Sequence, residues 1–267
     1  MESRLEIEAP SGTRRLFQRI ESLGVPFIHE RSIRFSRGYM GTKRCLLSID
    51  PQKLGSHSGE VIPAVCQELG MPHSLSETVL HWLPEATFVH FGFEDDRNQS
   101  RYKVYFEQQR KPNQAGEPIL LHVAFKWKVP SSEQWVESRY FWYPDQTPSD
   151  LCHKIGGYHR DPESPLLESI RSMIKHAGSA ELLEVREERG GRFSYDLNFY
   201  DSNVGVQSIR DELGMVGDYF GIPEDVIETL LSRIGSEDLG HIASGLHRDG
   251  EEFLTLYFGA RIHHGHC

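Results

Sequence analysis

The chain has 267 residues and a formal net charge of −10 at pH 7, a length that suits one large domain or two small ones. The acidic balance argues against nucleic acid or an anionic membrane surface as a partner. No stretch approaches the roughly 20 apolar residues of a membrane span, and the N-terminus lacks the apolar run of a secretory signal. The cysteines (Cys45, Cys66, Cys152 and Cys267) have no paired spacing, which favours free thiols in a reducing compartment. We therefore expect a cytoplasmic protein.

Apolar spacing predicts strand pairs that are separated mostly by helices. The helices are expected over residues 12–23, 59–69, 74–83, 149–155, 165–176, 204–219 and 223–234. The strand pairs are expected over residues 27–36 with 43–50, 87–94 with 101–108, 118–129 with 134–143, 181–187 with 192–200, and 239–247 with 251–260. Of the joins between successive pairs, only the one over 110–117 is too short for a helix.

One unit, a helix followed by a hairpin, occurs twice, over residues 69–107 and 220–259. The first copy matches the second at a constant offset at these pairs: Gly70 and Gly221, Pro72 and Pro223, Glu77 and Glu228, Thr78 and Thr229, Leu80 and Leu231. After a small gap, Gly92 matches Gly245 and Tyr105 matches Tyr257. A repeated unit of this size indicates a repeat-built architecture.

Ten antiparallel strands joined through helices can close into a barrel with the helices outside, which removes unpaired edges. A barrel of this size is wide enough to leave a lumen. We therefore predict an α+β fold: a single domain over residues 1–267, with a ten-stranded antiparallel β-barrel surrounded by helices and built from repeated αββα units.

Strand alternation then predicts which side chains share a face. Lys103 shares a face with Tyr105, Thr255 with Tyr257, Arg44 with Leu46 and Ser48, Arg139 with Phe141, and Phe193 with Tyr195. If these faces line the lumen, cations meet tyrosines there, and an arrangement of this kind suits a diphosphate. The alternative is that the cations lie on a solvated face and the tyrosines serve only in packing.

The strand sequences RYKVYFE and ESRYFWYP resemble the Lys-x-Tyr and cation-x-aromatic strands of the barrel-type (ABBA) aromatic prenyltransferases. The likeness is greatest to the cyanobactin prenyltransferases, which modify residues of macrocyclic peptides. In that group a glutamate and an arginine lie 14 residues apart in the first hairpin, and here IHERSIRF supplies Glu30 and RCLLSID supplies Arg44. The segment GLHRDGEEFLTLYF resembles the last hairpin of the family. Thr255 and Phe193 stand where the family pattern has room for cations.

The resemblance implies a role for each of these residues. Arg44, Lys103 and Arg139 would bind the diphosphate of dimethylallyl or geranyl diphosphate and stabilise the leaving group. Strand alternation adds Lys126 as a further candidate for diphosphate binding. Tyr105, Tyr195 and Tyr257 would shield the allylic cation from water. Glu30 would orient the nucleophile of the acceptor or take its proton; the alternative is an exposed carboxylate paired with Arg31 or Arg34. Lys126 shares a face with His122 and Lys128, and this face either extends the site or faces solvent.

No tightly bound cofactor and no protein-held metal are expected, and Mg²⁺, if used, would sit mainly on the diphosphate. Asp95, Asp96 and Arg97 are not a magnesium-chelating DDxxD motif and are predicted to form a solvated turn. The tail HHGHC (His263, His264, His266 and Cys267) is either a disordered chain end or a metal cluster.

The leading hypothesis is prenyl transfer to a side chain of a peptide. The alternatives are prenyl transfer to a small indole or phenol, a barrel that binds a hydrophobic or phosphorylated ligand without catalysis, and a packed structural repeat.

Overall fold

A computed structural model describes residues 11–96, 99–111, 117–129, 134–187 and 192–264. Residues 97–98, 130–133 and 188–191, which lie between the strands of the second, third and fourth predicted pairs, and the end of the HHGHC tail lie outside this part of the chain. The strands are β1 (Phe27–Ser36), β2 (Tyr39–Gly41), β3 (Arg44–Ile49), β4 (Ala86–Asp96), β5 (Gln99–Gln108), β6 (Ile119–Lys128), β7 (Trp135–Tyr143), β8 (Glu181–Glu187), β9 (Phe193–Asn198), β10 (Leu239–Leu246) and β11 (Glu252–His263). The α-helices are α1 (Ser11–Glu21), α2 (Ser58–Glu68), α3 (Ser76–Trp82), α4 (Pro148–Lys154), α5 (Pro165–Ala177), α6 (Arg210–Phe220) and α7 (Glu224–Ile234).

All the strands belong to one antiparallel sheet that closes on itself. From β3 to β11 each strand pairs with the next one along the chain, β3 also pairs with β1, and β1 pairs with β11 from Phe27–His263 to Phe35–Leu254. The predicted ten-stranded barrel is therefore confirmed, because closure uses every strand except β2. The short β2 was not predicted. It pairs with the end of β1, beyond the residues of β1 that pair with β3, so that β2 and β3 together form the second half of the first hairpin.

The helices pack outside the barrel against strands whose outward faces are apolar. Val89, Phe91 and Phe93 of β4 are buried against the first group of helices, α1 to α3. Leu254 and Leu256 of β11 are buried in a second core with α4 to α7. The two cores follow the internal repeat, since each copy contributes helices and a hairpin to one of them. Among the described helices, none is both long and apolar enough to cross a membrane.

Local sequence sets the ends of the outer helices. Thr147 and Asp150 form a capping box at the start of α4, with Pro148 in the first turn. The hydroxyl of Ser164 caps α5, which ends at Gly178 with φ of 72°. Glycine adopts this left-handed conformation without steric cost, so the chain can turn sharply into β8. These signals fix where each helix delivers the chain to the barrel.

Candidate functional site

The barrel encloses a lumen of about 700 Å³ that is lined by side chains from all ten closing strands. The lumen has two ends that differ in chemistry. The cationic end is defined by Arg34, Arg44, Arg101, Lys103, Lys126, Arg192 and Arg248, with Glu94, Asp96 and Glu187 between them. The histidine end is defined by Glu30, His90, Glu107, His122, Tyr200 and His241. His90 and Glu94 are four residues apart on β4, which places the two ends roughly 13 Å from each other.

Glu94 is the first carboxylate of the cationic end. It lies 2.7 Å from Arg44 Nη2 and 3.5 Å from Arg101 Nη1, and it accepts a hydrogen bond from Lys103. Arg44 also binds Asp96. Asp96 is therefore not part of a solvated turn, as the sequence suggested, because it neutralises a buried guanidinium.

Glu187 is the second carboxylate of this end. Its oxygens lie 2.9 Å from Arg248, 3.5 Å from Lys126 and 3.9 Å from Arg192. Arg34 stacks on the ring of Phe253 at 4.4 Å. The seven basic side chains of this end outnumber its three carboxylates, and they still do when the nearby Asp196 is counted, so the end attracts an anion with several oxygens.

The pKa values of Lys103, Lys126 and Glu94 are consistent with an excess of positive charge at the cationic end. Burial lowers the pKa of Lys103 to about 8 and that of Lys126 to about 7, although Glu94 and Glu187 act in the opposite direction. Burial alone would raise the pKa of Glu94, but Lys103 and Arg44 hold it well below its ordinary value. A bound anion would favour the charged form of both lysines.

The middle of the lumen has an aromatic wall made of Tyr105, Tyr140 and Tyr257. The rings of Tyr105 and Tyr140 lie 5.8 Å apart at an angle of 58°. Tyr257 stacks on His241 with centroids 3.7 Å apart and planes 15° from parallel. The small side chain of Ala243 also lines this part of the lumen. The wall presents π faces between the cationic end and Glu30, where a carbocation would be stabilised.

Glu30 lies at the histidine end and is only 3% exposed. Tyr200 donates a hydrogen bond of 2.6 Å to Glu30 Oε1, and the Tyr200 oxygen lies 3.1 Å from Nδ1 of His241. Burial raises the pKa of Glu30 to about 8, against the opposing effect of the Tyr200 hydrogen bond. Gly240 makes this packing possible, because a Cβ atom there would lie 2.1 Å from Glu30 Oε1 and 2.8 Å from the Tyr200 ring. The carboxyl group is therefore held in place and able to exchange a proton near neutral pH.

A second polar cluster lies along the same end of the barrel. His90 Nδ1 lies 2.7 Å from Ser48 Oγ, and its Nε2 lies 3.1 Å from Glu107 Oε2. Burial alone would raise the pKa of Glu107, but the hydrogen bond to His90 lowers it. The His122 ring is 5.6 Å from that of His90, and burial lowers the pKa of His122 to about 3. His122 is therefore neutral at physiological pH.

The structure brings together most of the residues that the sequence predicted for the site. Glu30, Arg44, Lys103, Lys126, Tyr105 and Tyr257 all line the lumen. Lys126 belongs to the cationic end rather than to a solvated face, and Glu30 bonds to Tyr200 rather than to Arg31 or Arg34.

Two predicted residues lie outside the lumen, and both expectations are wrong for the same reason. Arg139 projects from the outer face of β7, where its Nε donates a 2.8 Å hydrogen bond to Glu137. Tyr195 is buried in the outer core, where its hydroxyl is 2.9 Å from His159 Nε2. Their strand neighbours Tyr140 and Asp196 face the lumen instead. The alternation along β7 and β9 is thus shifted by one residue from the predicted faces.

Sequence reasoning missed Arg34, Arg192, Tyr140, Tyr200 and His241. Arg34 was considered only as a partner for Glu30. Arg192 and Tyr140 would follow from the correct faces of β9 and β7. Tyr200 lies in a 3-10 turn just after β9, so strand alternation gives no signal for it.

At the level of sequence, no protein-family model and no curated relative matches the chain. Solved structures do match its fold. The 5-dimethylallyltryptophan synthase from Streptomyces coelicolor has a TM-score of 0.59 at 12% identity, over 86% of this chain and 80% of that one. PriB in a binary complex with product diphosphate has a TM-score of 0.57 at 13% identity, over 86% and 79%. The NotF prenyltransferase has a TM-score of 0.57 at 12% identity, over 87% and 80%. The chain therefore has the ABBA prenyltransferase barrel fold.

Proposed function

We propose that this protein transfers a dimethylallyl or geranyl group from its diphosphate to a nucleophilic side chain or aromatic ring. The observation that carries the proposal is the order of groups along the lumen: an excess of buried cations, then an aromatic wall, then a buried carboxyl group. A hydrophobic-ligand carrier has no need of this order, whereas prenyl transfer uses all three parts. Structural neighbours solved with DMASPP and Trp, or with DMSPP and brevianamide F, support the same chemistry.

In the proposed reaction, Arg44, Lys103 and Lys126 bind the diphosphate at the cationic end. The allylic C–O bond breaks and its electron pair leaves with the diphosphate, whose developing charge these cations stabilise. Tyr105, Tyr140 and Tyr257 then stabilise the allylic cation and exclude water from it. Mg²⁺, where it contributes, would bind the diphosphate oxygens.

The acceptor would enter at the histidine end. Its nucleophilic atom forms a bond to the allylic carbon, and its proton passes to the carboxylate of Glu30. The positive charge that develops on the acceptor favours the ionised form of Glu30, which counteracts its raised pKa. Tyr200 holds the carboxylate through the reaction by its hydrogen bond.

Two acceptor classes fit this site. A residue of a peptide, as in the cyanobactin prenyltransferases that the sequence resembles, would reach into the lumen from its end. A free aromatic compound is favoured by the neighbours, one of which was solved with Trp. A lumen of about 700 Å³ lies within the roughly 300–1,000 Å³ range of small-molecule sites and holds a prenyl group together with one aromatic ring.

Mass spectrometry after incubation with dimethylallyl or geranyl diphosphate tests the proposal. The acceptor panel contains tryptophan, simple indoles and phenols, and linear and macrocyclic peptides that carry Tyr, Trp, His, Arg, Ser or Thr. We expect one class to gain an isoprenyl group, which decides between the acceptors. If the donor binds in calorimetry but no panel member gains an isoprenyl group, a non-catalytic binding barrel replaces the enzyme.

A further inference from the structure

Three side chains of the histidine end have no part in the proposed prenyl transfer. They are His90 of β4, Glu107 of β5 and His122 of β6, on three adjacent strands. One nitrogen or oxygen atom of each lies within 4.8 Å of the corresponding atoms of the other two. Glu107 and His122 are direct cross-strand partners, so the barrel itself fixes their proximity.

The surroundings of these side chains suit metal binding. A metal-bound imidazole commonly uses one nitrogen for the ion while a polar group holds the other. Ser48 Oγ lies 2.7 Å from His90 Nδ1 and can hold that nitrogen, which leaves Nε2 for an ion. Nδ1 of His122 is buried and makes no hydrogen bond to any residue that the structure describes. This nitrogen is therefore available to bind a metal ion or to form a hydrogen bond.

We propose that His90, Glu107 and His122 bind a divalent first-row transition metal ion of the zinc class. Two histidines and one carboxylate form the donor set of open zinc sites, in which a fourth position remains for water or substrate. Imidazole ligands favour such ions over Mg²⁺ and Ca²⁺, which prefer oxygen. This ion is thus distinct from Mg²⁺ on a diphosphate, and its binding does not require prenyl transfer. The open position faces the lumen, where it would take water or an oxygen atom of a bound acceptor.

Metal titration of the protein without any diphosphate tests this site. The background variant carries His264→Ala, His266→Ala and Cys267→Ala, so that only His263 of the C-terminal tail remains, and it is freed of metal by a chelator. We expect one equivalent of Zn²⁺ in calorimetry, and visible Co²⁺ bands typical of low coordination number. His122→Ala should weaken Zn²⁺ binding by more than about tenfold, and Ser48→Ala by about 10- to 100-fold. The exposed His73→Ala is the matched control and should leave the affinity unchanged.

Absence of Zn²⁺ binding in the background variant would overturn the proposal. Unchanged affinity in His122→Ala would also overturn it, because the ion would then bind elsewhere. Circular dichroism and thermal melting establish that each variant is folded. Should His122→Ala unfold, Ser48→Ala and Glu107→Gln give the same test, and unchanged affinity in both would refute the site.

Discussion

At the cationic end of the lumen, seven lysine and arginine side chains surround three carboxylates, whereas at the histidine end two carboxylates meet three histidines and a tyrosine. Several strands contribute to both ends. Along β4, His90 and Glu94 face the lumen four residues apart, and along β5 Glu107 and Lys103 do the same. A single strand can therefore supply one group to each end, and Arg192, Tyr200 and Arg248 join them from just outside the strands.

This separation of the two ends is what ionisation followed by proton transfer requires. In the proposed reaction the leaving diphosphate would gain negative charge among fixed cations, while the acceptor would lose its proton at a distance from them. If Glu30 lay among the arginines, their charge would lower its pKa and weaken it as a base. At the histidine end the imidazoles of His122 and His241 are neutral at physiological pH, because burial lowers the pKa of each to about 3.

The largest effect is expected when the base proposed for the histidine end is removed alone. Glu30→Gln keeps the shape of the side chain and an acceptor for the Tyr200 hydroxyl, but it cannot take a proton. We expect kcat to fall by about 10²- to 10⁴-fold, with binding of the diphosphate donor unchanged in calorimetry. Glu137→Gln, on the outer face of β7, is the control and should retain activity. Full activity in Glu30→Gln would remove Glu30 from the mechanism.

The complementary change disables the cationic end. Lys103→Ala removes a donor to the leaving group, and we expect kcat/KM to fall by about 10²- to 10³-fold together with a loss of donor affinity. Arg139→Ala is the matched control, since Arg139 lies on the outer face and binds Glu137. Steady-state kinetics compare the two variants. Equal loss in both would mean that the effect comes from stability and not from diphosphate binding.

A smaller effect on the reaction rate is expected from changes in the aromatic wall between the two ends. Tyr140→Leu removes one π face, and a cation–π contribution of about 0.5–2 kcal/mol corresponds to a loss in rate of roughly tenfold. Water should also capture more of the allylic cation, so the ratio of prenyl alcohol to prenylated product should rise. Tyr195→Phe, in the outer core, should change neither rate nor product ratio. A rise in alcohol with Tyr195→Phe and none with Tyr140→Leu would reverse the assignment of the two faces.

Much of the fold could be predicted because polar and apolar residues alternate along the strands and because one helix–hairpin unit occurs twice in the chain. The limits of β1 and β8 match the predicted ranges at both ends. The strand β2 was missed because its three residues are too few for alternation to register. The helix predicted over 204–219 begins in the structure as a 3-10 turn, Val206–Ile209, before α6.

The site was predictable only where one face of a strand is clearly apolar. On β5, Tyr102, Val104 and Phe106 are buried outside, so Lys103 and Tyr105 had to face inwards. On β7 both faces carry aromatic residues, so hydrophobicity does not decide between Arg139 and Tyr140.

On β9 the correct face could have been found. Tyr195 and Leu197 alternate with Ser194 and Asp196, and the apolar pair packs against the helices. The cation-x-aromatic pattern predicted the wrong face of β9. A lumen that binds a polar group is lined by the polar face of the strand. In a barrel of this kind the apolar face of a strand therefore packs outwards against the helices.

The last prediction concerns stability and not the reaction rate, and it isolates the carboxyl group of the histidine end. Burial raises the pKa of Glu30 from an ordinary 4.5 to about 8, so the folded protein keeps a proton that the unfolded chain releases. Between these two values the folded state binds more protons, and rising pH therefore favours unfolding. The contribution of Glu30 is fully present below pH 4.5 and is lost as pH rises towards 8, by at most about 1.4 kcal/mol per pH unit. Chemical denaturation of the wild type and Glu30→Gln across this range measures it, because all other titrations cancel in the difference. We expect the wild type to lose stability relative to Glu30→Gln as pH rises, and parallel curves would mean that Glu30 is already ionised in the folded protein.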